Sequence, residues 1–291
     1  MPPIFARLEE TLREEEPLSP ASPPSDERTD ILGVAVSSIN MDDAVATIEH
    51  WIGERSQNYV CVTGVHGVME SRKNETLRLI HNRAGLVTPD GMPLVWISRL
   101  LGKSRTERVY GPDLMRKMTE VSASRGYRQF YYGGAEGVAD KLKQALLRAH
   151  PDLKVTGTLC PPFRELTREE DRGVVDAINA VRPDIVWVGL STPKQEFWMA
   201  SHRGLVEAPV MIGVGAAFDF LAGMKHQAPV WMQRSGLEWL FRLCSEPRRL
   251  WRRYASIVPG FVMLAGWELV HHAIRNSSMR PRGRRLGDPF P

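Results

Sequence analysis

The sequence predicts an α/β fold with a mostly parallel sheet, helices on both faces of the sheet, and a helical, arginine-rich C-terminal appendage. Between residues 31 and 215, short apolar runs alternate with helical segments. Several of these runs are apolar throughout, as in parallel strands that are buried on both faces. After Ala228 the chain becomes helical, aromatic and rich in arginine. Together these observations predict a Rossmann-like sheet with an appendage at its C-terminal end.

Seven apolar runs are the predicted strands, and most of them end at a glycine or another turn residue. In chain order they are ILGVAV (31–36), YVCVT (59–63), LVTP (86–89), QFYYGG (129–134), KVTGTLC (154–160), DIVWVGL (184–190) and VMIGVG (210–215). The predicted helices are MDDAVATIEHWI, ETLRLIHNRA, PDLMRKMTEVSAS, EGVADKLKQALLRAH, TREEDRGVVDAINAV and PKQEFWMASHR. Two of them begin with proline, which suits the first helical turn. Another begins at Thr167 with Glu170 three residues later, the pattern of a capping box.

Composition divides the chain into a disordered tail (1–30), an α/β domain (31–240) and a helical basic appendage (241–291). The tail is rich in proline and serine and has eight acidic residues against three arginines, a composition typical of disorder. Residues 242–291 have ten arginines, three acidic residues and no lysine. This basic end predicts an anionic partner such as lipid headgroups, phosphates or nucleic acid. Pro247 and Pro259 are expected to divide the appendage into three helical pieces.

Cysteine usage and the lengths of the apolar runs indicate the compartment. The three cysteines are far apart and form no C-x-x-C pair, so neither a disulfide framework nor a zinc site is expected and a reducing cytoplasm is the default. The acidic N-terminus lacks the apolar segment of a secretion signal. The apolar segment 256–267 is shorter than the roughly 20 residues that span a bilayer as a helix. A position in the membrane interface is the expected alternative.

Polar or glycine-rich turns follow five of the predicted strands and form the candidate site. They are Thr63-Gly64, Asp90-Gly91, Gly133-Gly134, the segment 189–196, and 213–215 with Asp219 close behind. The carboxyl ends of parallel strands meet at one edge of a sheet, where the ligands of such sheets bind. We therefore expect these turns to lie together along that edge.

Each of three turns has a chemical and a purely structural interpretation. Asp90 is placed to act as a general base on an incoming hydroxyl, but an Asp-Gly turn or a helix cap uses the same residues. Gly133 and Gly134 could offer backbone N–H groups to a phosphate, or they could form a tight turn, since GGAEG lacks the full G-x-G-x-x-G pattern. Lys194 could neutralise a diphosphate and Gln195 could bond a base or a ribose, or both could form a solvated first helical turn.

The arginines of the appendage fall at helical spacing. Arg248 and Arg252 are four residues apart, as are Arg249 and Arg253, so each pair shares a helix face. Guanidinium groups suit phosphate oxygens, and the nearby Trp251 and Trp267 add a membrane-surface character. The alternative is a solvated helix face, although ten arginines without a lysine favour the first interpretation.

Metal, hydrolase and kinase chemistry is not indicated. The histidines 66, 81 and 226 share no metal-ligand spacing, and no D-x-D triplet occurs, so no divalent metal bridging a diphosphate is expected. No G-x-S-x-G motif or Walker loop is present.

Five segments carry a family resemblance: LVTPDGMPLVW, ERVYGPDLM, FYYGGAEGVADK, PDIVWVGLSTPKQEFWM and IGVGAAFDFLAGMKHQAPVWMQRSGLEWLFRLCSEPRRLWRRY. On these segments, from about Ile31 to Tyr254, the chain resembles the WecG/TagA/CpsF glycosyltransferases (glycosyltransferase family twenty-six). The resemblance implies an inverting, metal-independent transfer of a sugar from a UDP-sugar to a polyprenyl-diphosphate-linked acceptor in cell-surface polysaccharide synthesis. It also implies attachment to the inner face of the cytoplasmic membrane, no cofactor and no nucleic-acid partner, with a homo-oligomer possible.

The resemblance also implies roles for single residues. Asp90 matches the family's proposed base, Thr63 its threonine near the donor, and Arg108 its arginine before the G-x-D motif. Gln195 matches the glutamine of its S-P-K-Q-E run, and Asp219 the aspartate of its A-F-D-F run. The arginines that match its E-P-x-R segment, which is thought to close over the active site and meet the membrane, are Arg248, Arg249, Arg252 and Arg253.

Two departures and two alternatives accompany the resemblance. Val65 stands where family members often have the asparagine of T-x-N, so a donor contact is lost or passes to His66. The tail past Tyr254 matches only loosely. A NAD-dependent oxidoreductase, suggested by the sheet and Gly133-Gly134, would bind NAD tightly. A non-catalytic membrane-surface scaffold would bind liposomes without turnover. The PDG and STPKQE runs weigh against both alternatives.

Overall fold

The computed structural model describes residues 27–278, which form eight strands and twelve helices. The strands are β1 (Arg28–Ile31), β2 (Val34–Ser37), β3 (Asn58–Thr63), β4 (Leu86–Pro89), β5 (Arg128–Gly133), β6 (Lys154–Leu159), β7 (Ile185–Gly189) and β8 (Val210–Gly213). The helices are α1 (Met41–Glu54), α2 (Val65–Lys73), α3 (Glu75–Arg83), α4 (Met92–Leu100), α5 (Gly111–Arg125), α6 (Val138–Ala149), α7 (Arg168–Ala180), α8 (Lys194–His202), α9 (Ala217–Leu221), α10 (Val230–Arg234), α11 (Glu238–Ser245) and α12 (Pro247–Ser278).

Six strands form one parallel sheet in the order β4-β3-β8-β7-β5-β6. This confirms the predicted fold class. The central strands β3, β8 and β7 are apolar along most of their length because helices cover both of their faces. The register aligns the strand ends, with Thr63 beside Pro89 and Gly133 beside Gly189. The parallel strands therefore end at the same edge.

Two apolar layers hold the helices on the sheet. One layer joins α2, α3, α4, α7, α8 and α12 to one face of the sheet. The other joins α1, α5, α6 and α9 to the opposite face. The capping box predicted at Thr167 and Glu170 is present at the start of α7. The local sequence therefore correctly predicted where this helix begins.

The N-terminal strand prediction is wrong. The run ILGVAV contains a turn and belongs to an antiparallel hairpin of β1 and β2, outside the main sheet. Leu32 and Gly33 both have positive φ, at 54° and 89°, as in the tight two-residue turns that match strand twist. The hairpin begins at Arg28, so ordered structure starts before the predicted boundary at residue 31. Residues 1–26 of the predicted disordered tail lie outside the described part of the chain.

Three helices, α2, α4 and the short α9, were not predicted, and α2 and α4 begin at the candidate site. Helix α2 contains Gly67, which weakens a helical pattern, yet a Cβ at this position would lie 2.8 Å from Thr63 Cγ2. Only glycine lets α2 pack this closely on the end of β3. Helix α4 follows Asp90-Gly91 directly, and its mostly apolar sequence gives a weak helical period.

The appendage begins earlier than the predicted boundary at residue 241, because α10 starts at Val230. Pro247 starts α12 as predicted, but the division predicted at Pro259 is wrong, since α12 continues through it for 32 residues in all. Proline removes the hydrogen bond to the carbonyl of Ala255, and both residues are exposed, so water can solvate that carbonyl. The buried side chains that keep α12 on the body are Ile257, Phe261 and Ala265.

By length and composition, α12 could also cross a membrane. Within 247–275, an 18-residue window has a mean hydropathy of 1.4, and 17% of that window is buried. The apolar segment 256–267 alone is too short to span a bilayer, but the helix that contains it continues on both sides, through Pro259. One face of α12 nevertheless packs on the α/β body, as in a helix lying along a surface.

Candidate active site

The predicted turns lie along one edge of the sheet and are connected there by backbone hydrogen bonds. The N–H of Asp90 donates to the carbonyl of Thr63 at 3.0 Å. The N–H of Val214 donates to the carbonyl of Val188, also at 3.0 Å. The ends of β4, β3, β8 and β7 therefore form a continuous rim, and the appendage helices α10 and α11 reach over it from the side of β4.

At this rim, one carboxylate oxygen of Asp90 is hydrogen-bonded and the other is free. Oδ1 accepts a hydrogen bond from the N–H of Gly111 at 3.0 Å. Oδ2 makes no hydrogen bond to any described residue, and a Cβ at Gly64 would lie 3.7 Å from it. Burial raises the pKa of Asp90, while the Arg108 charge and the Gly111 N–H act in the opposite direction. The free oxygen faces a glycine, which leaves room for a substrate hydroxyl.

Arg108 is part of a latch between the rim and the appendage. Its guanidinium donates to the backbone carbonyl of Asp90 and to the carboxylate of Glu238 on α11. It stacks on Tyr110 at 4.0 Å, and the Tyr110 hydroxyl donates to Glu238 at 3.0 Å. Arg108 and Glu238 are only 14% and 16% exposed. Arg108 therefore holds α11 beside Asp90, and the substrate-binding role that the resemblance implies for it stays a prediction.

We expect Glu238→Ala to loosen α11. Removing one partner of a buried ion pair leaves the other charge uncompensated and costs about 3 kcal/mol. Hydrogen–deuterium exchange should therefore accelerate in residues 238–245 while the sheet stays protected. The control is Asp113→Ala, which breaks the exposed Arg116–Asp113 pair and should leave exchange in α11 unchanged. Equal protection of α11 in Glu238→Ala and the wild type would contradict the latch.

Thr63 lies at the rim with its hydroxyl already bonded. The side chain is 2% exposed, and Oγ1 lies 3.0 Å from Nε2 of His81. His81 Nδ1 donates to the carbonyl of Leu77, and burial lowers the pKa of His81. The ring is therefore neutral, with Nε2 as the acceptor for Thr63. This arrangement makes Thr63 a support for the end of β3, and its expected place near the donor stays a prediction.

Gly133 and Gly134 form the close approach of β5 to β7. A Cβ at Gly133 would lie 2.7 Å from the backbone of Gly189, and the N–H of Gly134 donates to the carbonyl of Gly189 at 2.9 Å. Helix α6 starts four residues later, at Val138. Because the Gly134 N–H is already bonded, the structure favours the tight-turn interpretation over a phosphate cradle.

The STPKQE run follows β7 and starts α8. Lys194 is exposed at the first helical position, where its charge can reach a ligand at the rim. Gln195 is 2% exposed and lies against β8, because a Cβ at Gly213 would be 3.1 Å from its Nε2. Glu196 is fully buried. Its complete burial is not evident from the STPKQE run, where it follows Lys194 and Gln195 in a polar segment.

Asp219 belongs to a chain of charges that joins α9 to α12. Lys225 pairs with Asp219 at 3.0 Å and with Glu246 at 3.5 Å, and Arg249 pairs with Glu246. Asp219 is therefore beside the appendage, at the end of β8, with a side chain that is 25% exposed. Its carboxylate is accessible at the rim while one oxygen is held by Lys225.

The four predicted appendage arginines, Arg248, Arg249, Arg252 and Arg253, are all exposed. Burial and then the Arg253 charge lower the pKa of His66 to about 4, so His66 is neutral at pH 7. Arg252 lies 5.4 Å from the ring of Trp251, and Arg249 pairs with Glu246. Arg253 is thus near His66, at the end of β3.

Arg242 belongs to the arginines at helical spacing in the appendage, but the sequence alone assigns it no specific role at the site. It is one helical turn after Glu238 on α11, so both share a face. Its charge lowers the pKa values of both Asp90 and His66, and its guanidinium lies 5.9 Å from the ring of Phe220. The i, i+4 spacing of Glu238 and Arg242 predicts from the sequence that the two side chains share a helix face. Only the packing of α11 shows that this face meets the rim.

The candidate site comprises Asp90, His66, Lys194 and Asp219, which follow the strand ends, with Arg242 and Arg253 of the appendage close enough to act on the pKa of His66. Within residues 27–278, no three His, Cys, Asp or Glu side chains converge as metal ligands would. The arrangement supplies a free carboxylate oxygen for taking a proton and nearby guanidinium groups for stabilising negative charge.

Comparison with known proteins gives a family match. The chain matches the family described as "Glycosyl transferase WecG/TagA/CpsF family" over residues 29–275. It is 32% identical over 188 residues to an N-acetylglucosaminyldiphosphoundecaprenol N-acetyl-beta-D-mannosaminyltransferase of Bacillus spizizenii, covering 65% of this chain and 71% of that protein. It is 26% identical over 227 residues to a protein of the same name from Staphylococcus aureus strain MW2, covering 77% and 87%. The family match continues past Tyr254, and these matches favour neither the oxidoreductase nor the scaffold.

Proposed function

The chain belongs to the WecG/TagA/CpsF glycosyltransferase family, and from that we propose that it transfers a sugar from a UDP-sugar to a polyprenyl-diphosphate-linked saccharide. The geometry of Asp90 is the observation that carries the mechanism. Its Oδ2 is free, it faces the space over Gly64, and cations of the appendage lie nearby. A metal-independent transfer requires a general base for the acceptor hydroxyl and fixed positive charges near the leaving diphosphate.

The proposed reaction is a single inverting displacement. The acceptor hydroxyl oxygen bonds to the anomeric carbon of the donor while the bond from that carbon to the UDP oxygen breaks. The hydroxyl proton passes to Oδ2 of Asp90. Negative charge develops on the leaving diphosphate, where Arg242, Arg253 and Lys194 are the cations placed to meet it. Gln195 and Asp219, at the ends of β7 and β8, are the proposed contacts for the uridine.

The names of the relatives suggest the sugar and the acceptor. Those proteins are named for N-acetylmannosaminyl transfer and for an N-acetylglucosaminyldiphosphoundecaprenol acceptor. We therefore expect UDP release from UDP-N-acetylmannosamine only when a diphosphate-linked N-acetylglucosaminyl polyprenol is present. Product formation is measured by mass spectrometry over a panel of UDP-sugars. No transfer from any of them, with intact folding, would contradict the proposed function.

We also propose that the protein binds the inner face of the cytoplasmic membrane through an exposed surface of α12. Three large apolar side chains of α12 are exposed: Met263 (70%), Trp267 (67%) and Ile274 (59%). A helix that faces only water does not require apolar side chains at these positions. An apolar cleft of about 440 Å³ lies between the ends of α4 and α12, lined by Leu100, Leu101 and Leu269 among others. Exposed arginines at the start of α12 suit anionic headgroups. This surface supports peripheral attachment near a lipid-linked acceptor.

We expect the double substitution Met263→Asp and Trp267→Asp to abolish binding to vesicles that contain anionic phospholipid. Each large apolar side chain contributes about 1.5–3 kcal/mol when buried, so losing two should lower vesicle affinity by well over tenfold. Cosedimentation measures the effect. Leu205→Asp is the control, because Leu205 is also exposed (55%) but lies in the loop between α8 and β8 and not on α12. Equal binding by the double variant and the wild type would refute this membrane surface.

A further inference from the structure

A buried carboxylate lies directly beneath the proposed donor site. Glu196, in the first turn of α8, has no exposed surface. Its Oε1 accepts hydrogen bonds from Thr192 Oγ1 at 2.8 Å and from Gln195 Nε2 at 3.1 Å. Its Oε2 makes no hydrogen bond to any residue in the described range. The mechanism above gives this carboxylate no role.

Glu196 determines which way the amide of Gln195 points. A carboxylate only accepts hydrogen bonds, so the NH₂ group of Gln195 must face it. The carbonyl oxygen Oε1 of Gln195 then points the other way. It is buried and has no hydrogen-bond partner among the described residues. An unmade hydrogen bond at a buried acceptor is costly, which is typical of a position that a ligand completes.

Gly215 lies beside this oxygen and has no side chain. A Cβ at Gly215 would lie 3.5 Å from Gln195 Oε1 and 3.7 Å from Ser191 Cα, with no other atom closer than 4 Å outside its chain neighbours. Gly215 follows β8 at the rim, two residues after Gly213, which packs on the Gln195 amide. Gly215 therefore places no side chain between Oε1 and a ligand at the rim, and because the oxygen is buried, a ligand donor reaches it by a small displacement of this turn.

We infer that Glu196 is a positioning residue that holds the carbonyl of Gln195 towards the donor site, and so selects a base with a ring N–H. Uracil carries a donor at N3, which pairs with this carbonyl. Cytosine carries a bare lone pair at the same ring position, so two acceptors would face each other. Buried polar groups that are left unpaired reject the wrong analogue strongly. This inference rests on the proposed function and assigns the discrimination between bases to a residue that does not touch the ligand.

The test compares binding of UDP and CDP by calorimetry. The wild type should bind UDP at least about tenfold more tightly than CDP. In Glu196→Gln, the new amide can present either its oxygen or its NH₂ to Gln195, so the Gln195 amide can turn over and the preference should fall to near one. Thr192→Val is the matched control, because it removes one hydrogen bond to Glu196 but keeps the carboxylate. It should keep the wild-type preference.

A second probe needs no variant. UDP methylated at N3 lacks the ring donor and should bind the wild type as weakly as CDP does. Equal binding of UDP and N3-methyl-UDP, or an unchanged UDP preference in a folded Glu196→Gln protein, would overturn the inference. If sugar transfer from a UDP-sugar proceeds while UDP and CDP bind equally, the proposed function stands and this inference fails. If no UDP-sugar supports transfer, the proposed function itself fails.

Discussion

Asp90→Asn is expected to reduce sugar transfer by about 10²–10⁴-fold, the range that a general base contributes. The amide has the same shape as the carboxylate and can still accept the hydrogen bond from Gly111, so the rim should keep its structure. The change removes the group that takes the proton from the acceptor hydroxyl. The rate constant for transfer is measured at saturating donor and acceptor, and UDP affinity, measured separately, should not change.

The pH profile provides an independent check on Asp90. A base works only when ionised, and burial raises the pKa of this carboxyl. Transfer by the wild type should therefore decline as the pH falls through a value above the usual range of aspartate, and the small residual rate of Asp90→Asn should lack this limb. Full activity in the variant, or an identical acid limb in both proteins, would remove Asp90 from the role of base.

Arg242→Ala is expected to lower the transfer rate by about 10²–10³-fold, as removal of one preorganised group that stabilises developing charge does. Its guanidinium is on the face of α11 that the Arg108–Glu238 latch holds against the rim. The loss should appear in the rate constant at saturating donor more than in the Michaelis constant, because negative charge on the diphosphate increases in the transition state.

Arg242→Ala should also shift the acid limb of the pH profile. The Arg242 charge lowers the pKa of Asp90, so its removal should raise that pKa and move the limb to higher pH. Arg248→Ala is the matched control, since Arg248 is an exposed arginine in the first turn of α12 and should leave the rate with a soluble acceptor unchanged. Equal losses in both variants would show that the charge of the appendage acts without the specific placement of Arg242.

Some site residues could be predicted from the sequence, and others depended on packing. The position of Asp90 at a strand end follows from the order of apolar runs, because parallel strands end at a common edge. Thr63 and Gly134 also lie at that edge, but their polar groups bond His81 and Gly189. Local sequence does not show that such bonds are already made, since both partners are distant along the chain.

The α/β class, the common edge of the strands, the basic appendage and the family all follow from the amino-acid sequence alone. Those features depend on composition, on apolar period and on chain order, which are local properties. Packing across the fold was needed to show that Arg108 holds α11, that the charges of Arg242 and Arg253 act on His66, and that Glu196 orients Gln195. Which face of a helix meets a partner is decided by burial and by hydrogen bonds across the fold, because helical spacing fixes neighbours on a face but not what that face contacts.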